Sequence, residues 1–393
     1  MSFNALQLVG SFHQGGSERQ AVQLARLLAE RGGCRVRVAT LDASGVLGAE
    51  VESLGLGEVP EYRLTSFYDA NAVRQLRRFA RFLRAERVDV VHTHDFYTNV
   101  FGMAGAWLAG VPARVASKRE TEGMRTAAQE RAERAAFRLA HAVTVNAGAV
   151  RERLVAGGVP GGKIKVVHNG IDAARVAPPA GMSRAEARAA VGLPREEGLR
   201  FVTIVANLRH EVKDHSMFLR AARRVLAEVP EARFVVAGEG ELEAPLRAMA
   251  VEMGVAEAVV FTGRCERVAE LLFASDVCAL SSRAEGFSNA LLEYMAAGRP
   301  SVVTDVGGAR EAVVEGETGF VVAPGDDERM AERIVHLLRS PAEARAMGER
   351  ARDRVAREFS CEIRLEKTLA LYAGLLARRG RERAGRGREV TAC

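Results

Sequence analysis

Short apolar runs rich in Val, Ile and Phe alternate with longer amphipathic segments along almost the whole chain, and no other feature narrows the fold as far. Strands are expected at Ala5–Val9, Arg35–Leu41, Val88–Val91, Arg114–Ser117, Ala142–Val145 and Ile164–Val167. Helices are expected between them, at Ser17–Arg31 with Ser17 as cap, then at Asn71–Arg87, Val100–Ala109 and Ala127–Leu139. Strands that return only through helices form mostly parallel sheets covered on both faces. A second series begins at Arg200–Ala206 and continues through Ala232–Ala237, Ala258–Phe261, Asp276–Ser282 and Val302–Thr304. Between the two series lies Ala173–Met182, with Pro178, Pro179 and Gly181, a composition typical of an interdomain linker. The expectation is an α/β protein of two Rossmann-like, doubly wound domains facing across a cleft. The N-terminal domain spans 1–172, the linker 173–182 and the C-terminal domain 183–358, which fits 393 residues.

Charge and composition exclude several classes of function. With 48% hydrophobic and 27% charged residues the chain is ordinary globular protein, and no apolar run reaches the roughly 20 residues that span a bilayer. Met1-Ser2-Phe3-Asn4 has no basic segment followed by an apolar core, and the five cysteines show no metal-ligand spacing, so a cytoplasmic location with reduced thiols is expected. The formal charge of +6 gathers near the end, where Arg378, Arg379, Arg381, Arg383, Arg386 and Arg388 face only Glu382 and Glu389. No aromatic residues interleave them to stack bases, so residues 379–393 read as a disordered basic tail and no nucleic-acid partner is expected.

The chemistry concentrates where Asp276–Ser282 leads through Glu285-Gly286-Phe287-Ser288-Asn289 into Ala290–Glu293 and onward to Gly298 and Pro300. This reads as strand, glycine-containing turn and helix, with Ser288 or Asn289 as cap. A helix N-terminus offers N–H groups and partial positive charge to a phosphate, and Gly286 lets the backbone come close. Glu285 before the helix and Glu293 in its second turn could each accept a hydroxyl, which suits a sugar nucleotide. A second glycine loop, Gly10–Gly16 with Gly15 and Gly16, follows the first strand; its spacing is not the dinucleotide G-x-G-x-x-G. His92-Thr93-His94-Asp95 ends another strand, where open α/β sheets place their ligands. Metal binding there lacks further ligands at sensible spacing, and a satisfied core histidine is the plain alternative.

These residues resemble the Glu-x7-Glu motif of retaining glycosyltransferases of family 4, which have the GT-B fold. The likeness runs from Phe261-Thr262-Gly263-Arg264 to Gly319–Asp326 and recurs at Gly15-Gly16-Ser17-Glu18. It implies a nucleotide-sugar donor held mainly by the C-terminal domain and an acceptor of unnamed identity (sugar, lipid-linked or small molecule) held by the N-terminal one. It also implies a last helix within 359–378 that crosses back onto the N-terminal domain. By the same resemblance His94 faces the donor sugar, Gly15 and Gly16 approach the phosphates or sugar, and Asn207-Leu208-Arg209-His210-Glu211-Val212-Lys213 grips the diphosphate. Asn207 stands where the family more often has Arg, and the Arg209 to Lys213 spacing is about one residue long. Arg264 with its neighbours lies against the base, Glu285 holds the transferred sugar and Glu293 the ribose, beside Gly286, Phe287 and Ser288. Glu311 is a further candidate. The expected catalytic set is His94, Glu285, Arg209 and Lys213; no metal or other cofactor is expected, because no Asp-x-Asp occurs. UDP is the favoured nucleotide. The arginine face of 71–87 could touch an anionic membrane or simply be solvated. Rival readings are a sugar-nucleotide epimerase or hydrolase of the same architecture, and a catalytically idle scaffold homologue.

Overall fold

The computed structural model describes residues 3–13, 15–120, 125–178 and 180–390. Pro179 of the expected linker, residues 121–124 and the last three residues of the expected tail lie outside the described residues.

Six strands, β1 (Asn4–Ser11), β2 (Arg35–Asp42), β3 (Val90–Thr93), β4 (Ala113–Lys118), β5 (Ala142–Val145) and β6 (Ile164–Val166), form a parallel sheet in the order β2-β1-β3-β4-β5-β6. Six more, β7 (Arg200–Val205), β8 (Ala232–Ala237), β9 (Val259–Gly263), β10 (Val277–Leu280), β11 (Ser301–Thr304) and β12 (Phe320–Val322), form a second parallel sheet in the order β12-β11-β10-β7-β8-β9. The first compact unit contains the chain up to Asn169 together with everything from Cys361 on; the second contains Gly170–Ser360. Strands β3, β5 and β10 are buried along their whole length, and β10, Val277–Leu280, accordingly reads as an unbroken apolar run rather than an alternating one.

Several helix ends differ from expectation because caps, not apolar periodicity, set them. The first helix is Gly16–Arg31 with Gly15 as its N-cap, so Ser17 lies inside it rather than capping it. The next long helix is Ala70–Ala85, started by Asp69, whose carboxylate accepts from the Ala72 N–H. It buries Phe79, Ala80 and Leu83 but leaves Val73 exposed, and Arg87 falls beyond its end in a left-handed conformation. The helix expected from Val100 begins at Phe96, because Asp95 and Thr98 form a reciprocal capping box. Within the expected linker, Ala173–Val176 makes one 3-10 turn, buries Val176 and packs on the helices Val268–Ala274 and Asn289–Ala296 of the second unit.

The last helix, Cys361–Val390, belongs to the first unit. Cys361, Leu365 and Tyr372 enter a core with Phe3, Val9, Val36, Val90 and Val115. Full burial of one large apolar side chain contributes roughly 1.5–3 kcal/mol, so these positions fix the returning helix in place. Its backbone stays helical to Val390, past the residue 379 where a disordered tail was expected. The segment holds no proline, and Ala, Arg and Glu are good helix formers that carry the helix beyond its last core contact.

Candidate functional site

In each sheet the strand order reverses once, and an open parallel sheet leaves a crevice for ligands beyond its strand ends at that point. In the second unit the reversal falls between β7 and β10. The loops leaving these strands are stapled together. Ser281 Oγ donates to the Lys213 carbonyl at 2.9 Å, and the Arg283 N–H to the Val212 carbonyl at 2.8 Å. Arg283 Nε donates to Asp214 Oδ2 at 2.7 Å. Asp214 adopts the left-handed region at φ +45° and caps the helix His215–Leu226 through the Met217 N–H, so the residue next to Lys213 is held from two sides.

That staple brings Lys213 and Glu285 into an ion pair, and Ser282 Oγ donates to the same Glu285 oxygen at 2.8 Å. The expected division of labour, Lys213 for the diphosphate and Glu285 for a sugar hydroxyl, is therefore drawn here as one salt bridge. Ser288 is the N-cap of the helix Asn289–Ala296, accepting from the Leu291 N–H. Gly286 is gripped from below by Gly308, whose N–H donates to the Gly286 carbonyl at 2.7 Å. Phe287 packs against Phe359, with ring centroids 5.2 Å apart. Glu293 is half-buried in the second turn, next to Tyr294, which is fully buried and accepts the Val205 N–H at 2.7 Å. That bond ties the helix to the end of β7.

Arg209 and Arg264 stand further out. The β7 loop is zipped to the β8 loop by Leu208 N–H to Glu239 carbonyl and Leu242 N–H to Leu208 carbonyl bonds, and Arg209 reaches Glu239 at 3.5 Å in an exposed pair. Arg264 follows β9 at the sheet edge and lies 3.9 Å from Glu266. Glu311 lies on the short helix Ala309–Ala312.

In the first unit the reversal lies between β1 and β3. Beyond these strand ends opens a cavity of about 850 Å³, lined among others by Ser11, Gly16, Glu18, Arg63, Asp95 and Arg119. A β-carbon at Gly10 would stand 2.6 Å from Asp95 Oδ2, so a larger residue there must displace that carboxylate. Burial raises the Glu18 carboxyl above its ordinary value, with Asp95 adding to the effect. Arg119 donates to Asn169 Oδ1 at 2.7 Å, and burial lowers its guanidinium to about 10. Gly15 caps the first helix next to Gly16, which lines the cavity. His94, which precedes Asp95, is buried and bonded through Nε2 to Gln7 Oε1 at 2.8 Å. Burial holds both His92 and His94 well below the usual imidazole range, and the nearby Arg119 and Arg364 charges reinforce it.

The sequence reading took the turn Asp305-Val306-Gly307-Gly308 as a segment resembling one beside the donor pocket, but missed Asp214, Arg283 and Ser282 as the frame of the Lys213 and Glu285 pair, Glu18 and Arg119 at the first cavity, and Gln7 and Tyr372 beside the histidines. Glu18 and Asp95 sit inside the motifs already singled out. Ser282 lies only three residues from Glu285, whereas the others carry no local signal because their partners are far away in the chain.

Comparison with known proteins bears on the family and the fold. The model for Glycosyltransferase Family 4 matches residues 14–175, and that for Glycosyl transferases group 1 matches residues 200–340. The chain belongs to glycosyltransferase family 4. A D-inositol 3-phosphate glycosyltransferase of Mycobacterium avium is 35% identical over 57% of this chain and 52% of its own. An N-acetyl-alpha-D-glucosaminyl L-malate synthase of Bacillus anthracis is 32% identical over 46% of this chain and 47% of its own. The chain spans about half the length of the curated relatives it matches. The crystal structure of Anabaena HepE in complex with UDP and glucose superposes with a TM-score of 0.83 at 19% identity, covering 95% of this chain and 100% of that one. The two parallel six-stranded sheets of this family 4 member are those of the GT-B fold.

Proposed function

We propose that the protein is a retaining, metal-independent glycosyltransferase that moves a hexose or related sugar from a nucleotide-diphosphate sugar, with UDP favoured, to an acceptor hydroxyl. The observation that carries this reading is the Lys213 and Glu285 pair, stapled at the strand reversal of the second unit beside the capped helix Asn289–Ala296. A bound diphosphate competes for the Lys213 ammonium and for that helix end, which frees Glu285 for a sugar hydroxyl, while Glu293 takes the ribose. Arg209 adds charge from the adjoining loop, and Arg264 with Gly263 stands where a base would lie. His94, Gly15 and Gly16 are the first unit's candidate residues for substrate. Relatives named as glycosyltransferases, and structural neighbours bound to UDP or UDP-glucose, support the donor class. The acceptor is assigned to the cavity of the first unit.

In this reading the departing phosphate takes the acceptor's proton and the protein neutralises the leaving diphosphate. Loss of one such preorganised donor costs about 3–4 kcal/mol, or roughly 100- to 1000-fold in rate. The test is thermal stabilisation across UDP-, GDP-, ADP- and TDP-sugars, followed by nucleotide release with and without candidate acceptors in chelator. The reading requires one donor to stabilise the wild type, release to depend on an acceptor, and Glu285→Ala to abolish release. Acceptor-free conversion of the donor, or full turnover by Glu285→Ala, rejects it.

No helix among the described residues is long and apolar enough to cross a membrane. The arginines of Ala70–Ala85 are proposed to make peripheral contact with anionic lipid. Co-sedimentation with phosphatidylglycerol vesicles that is lost on changing Arg74, Arg77 and Arg81 to Gln tests this.

A further inference from the structure

The last helix reaches the candidate site through one chain of buried hydrogen bonds. Tyr372, fully buried, places its hydroxyl 2.6 Å from His92 Nδ1 and 3.2 Å from Gln7 Nε2. Gln7 Oε1 lies 2.8 Å from His94 Nε2, while His92 Nε2 lies 2.8 Å from Ser117 Oγ and 3.2 Å from Thr144 Oγ1. The two imidazoles are 4.5 Å apart at their centroids. His94 Nδ1 is buried and has no partner among the described residues.

A hydroxyl has one proton to give and an amide has distinct ends, so the protons in this chain cannot be placed independently. Only two arrangements satisfy every link and also give the buried Tyr372 hydroxyl proton an acceptor among the described residues. In the first, Gln7 Nε2–H donates to Tyr372 oxygen, the Tyr372 hydroxyl donates to His92 Nδ1, His92 Nε2–H donates to Ser117, and His94 Nε2–H donates to Gln7 Oε1. His94 Nδ1 is then a bare lone pair. In the second the Gln7 amide is reversed, every link runs the other way, and His94 carries its proton on Nδ1 with nothing to receive it. A buried N–H without an acceptor is rarer and costlier than an unused lone pair. The amide orientation seen here is that of the first arrangement.

We infer that Tyr372 is a positioning residue: through Gln7 it fixes His94 as the Nε2–H tautomer, so that Nδ1 is the acceptor His94 offers to a substrate hydroxyl. The inference rests on the reading of His94 as a site residue. It gives the returning helix a part in recognition that its apolar packing does not require. Tyr372→Phe keeps the ring, which meets Phe3 edge-on with centroids 6.1 Å apart, and removes the hydroxyl that joins the Gln7 amide to His92.

The test is imidazole ¹⁵N spectroscopy on the full-length protein, with His94 assigned by its absence in His94→Gln. Wild type is expected to give a single Nε2–H tautomer at His94, and Tyr372→Phe a mixture. With a donor that stabilises the wild type, turnover of Tyr372→Phe should fall about 10- to 100-fold while KM for the donor changes little, as for lost orientation rather than lost binding. Gln7→Leu cuts the same chain on its other side and serves if Tyr372→Phe does not fold. An Nδ1–H tautomer in wild type, or an unchanged His94 spectrum in both variants, overturns the inference. Full turnover by His94→Gln with the expected spectra removes instead the site role of His94 and leaves the tautomer assignment standing.

Discussion

Gly307 offers the sharpest test of how the Glu285 loop is held. It sits at φ +55°, and a β-carbon there would lie 2.3 Å from the Glu285 carbonyl oxygen and 2.4 Å from that of Gly286. Real β-carbons do not approach backbone closer than 3.0 Å, so Gly307→Ala must push the loop away from the Lys213 pair. Gly316 provides the control, since it has φ +75° with nothing within 4 Å of the same added carbon. Both alanines suffer the left-handed strain of about 1–2 kcal/mol. In a unit of this size that corresponds to about 2–4 °C of melting temperature per kcal/mol. Only Gly307→Ala also displaces Glu285, and a misplacement near 1 Å costs about 100-fold in rate, or about 2.7 kcal/mol. Melting curves with and without the stabilising nucleotide sugar, together with nucleotide-release rates, separate the two effects. Gly316→Ala should melt a few degrees low with full turnover; Gly307→Ala should melt lower still and lose both donor stabilisation and turnover. Equal behaviour of the two variants would refute the claim that this contact positions the loop.

Tyr294→Phe leaves the Val205 N–H buried without its acceptor and should cost about 1–3 kcal/mol, read as a lower urea midpoint at unchanged slope. Glu293→Ala should chiefly raise KM for the donor, whereas Lys213→Ala should lower kcat as well; an unchanged KM in the first contradicts the ribose role. Stability should be level above about pH 7 and fall as pH drops through 6.5, because His92, His94 and His215 are held neutral by burial while the unfolded chain takes up protons. Each histidine contributes about 1.4 kcal/mol per pH unit in that window. The His215 part ends near its depressed value of about 4. Glu18, raised by burial, acts in the opposite sense: its protonated form favours the fold at low pH, and that part is lost as pH rises past 4.5. Urea midpoints that stay level between pH 7 and 5 would contradict the assignment of these buried imidazoles.

The two sheets were legible because strands buried on both faces leave unbroken apolar runs, as Val277–Leu280 does, and because glycines mark the loops between them. Helix starts were less so. Asp95 reads in sequence as the tail of His92-Thr93-His94, and only its pairing with Thr98 shows that it begins a helix. The Glu285 to Glu293 segment was readable as strand, turn and capped helix since every signal it needs is local. Its ion pair with Lys213 was not, because 72 residues separate the partners and only the adjacency of β7 and β10 joins them. The same holds for Tyr372 and His92, 280 residues apart.

The returning helix also sets an order of assembly. Residues 170–360 are contiguous and can close their sheet as soon as they leave the ribosome, whereas the first unit waits for Cys361, Leu365 and Tyr372, which are made only after the whole second unit. Until then an apolar face around Phe3, Val9 and Val36 stands open, and the His92 cluster lacks a hydroxyl. A nascent chain therefore carries a finished second unit before the first has its histidines set. Expressed separately, residues 170–360 should fold, while residues 1–169 should need the last helix supplied in trans, which makes that helix a natural point at which to split the protein and switch it on by reassembly.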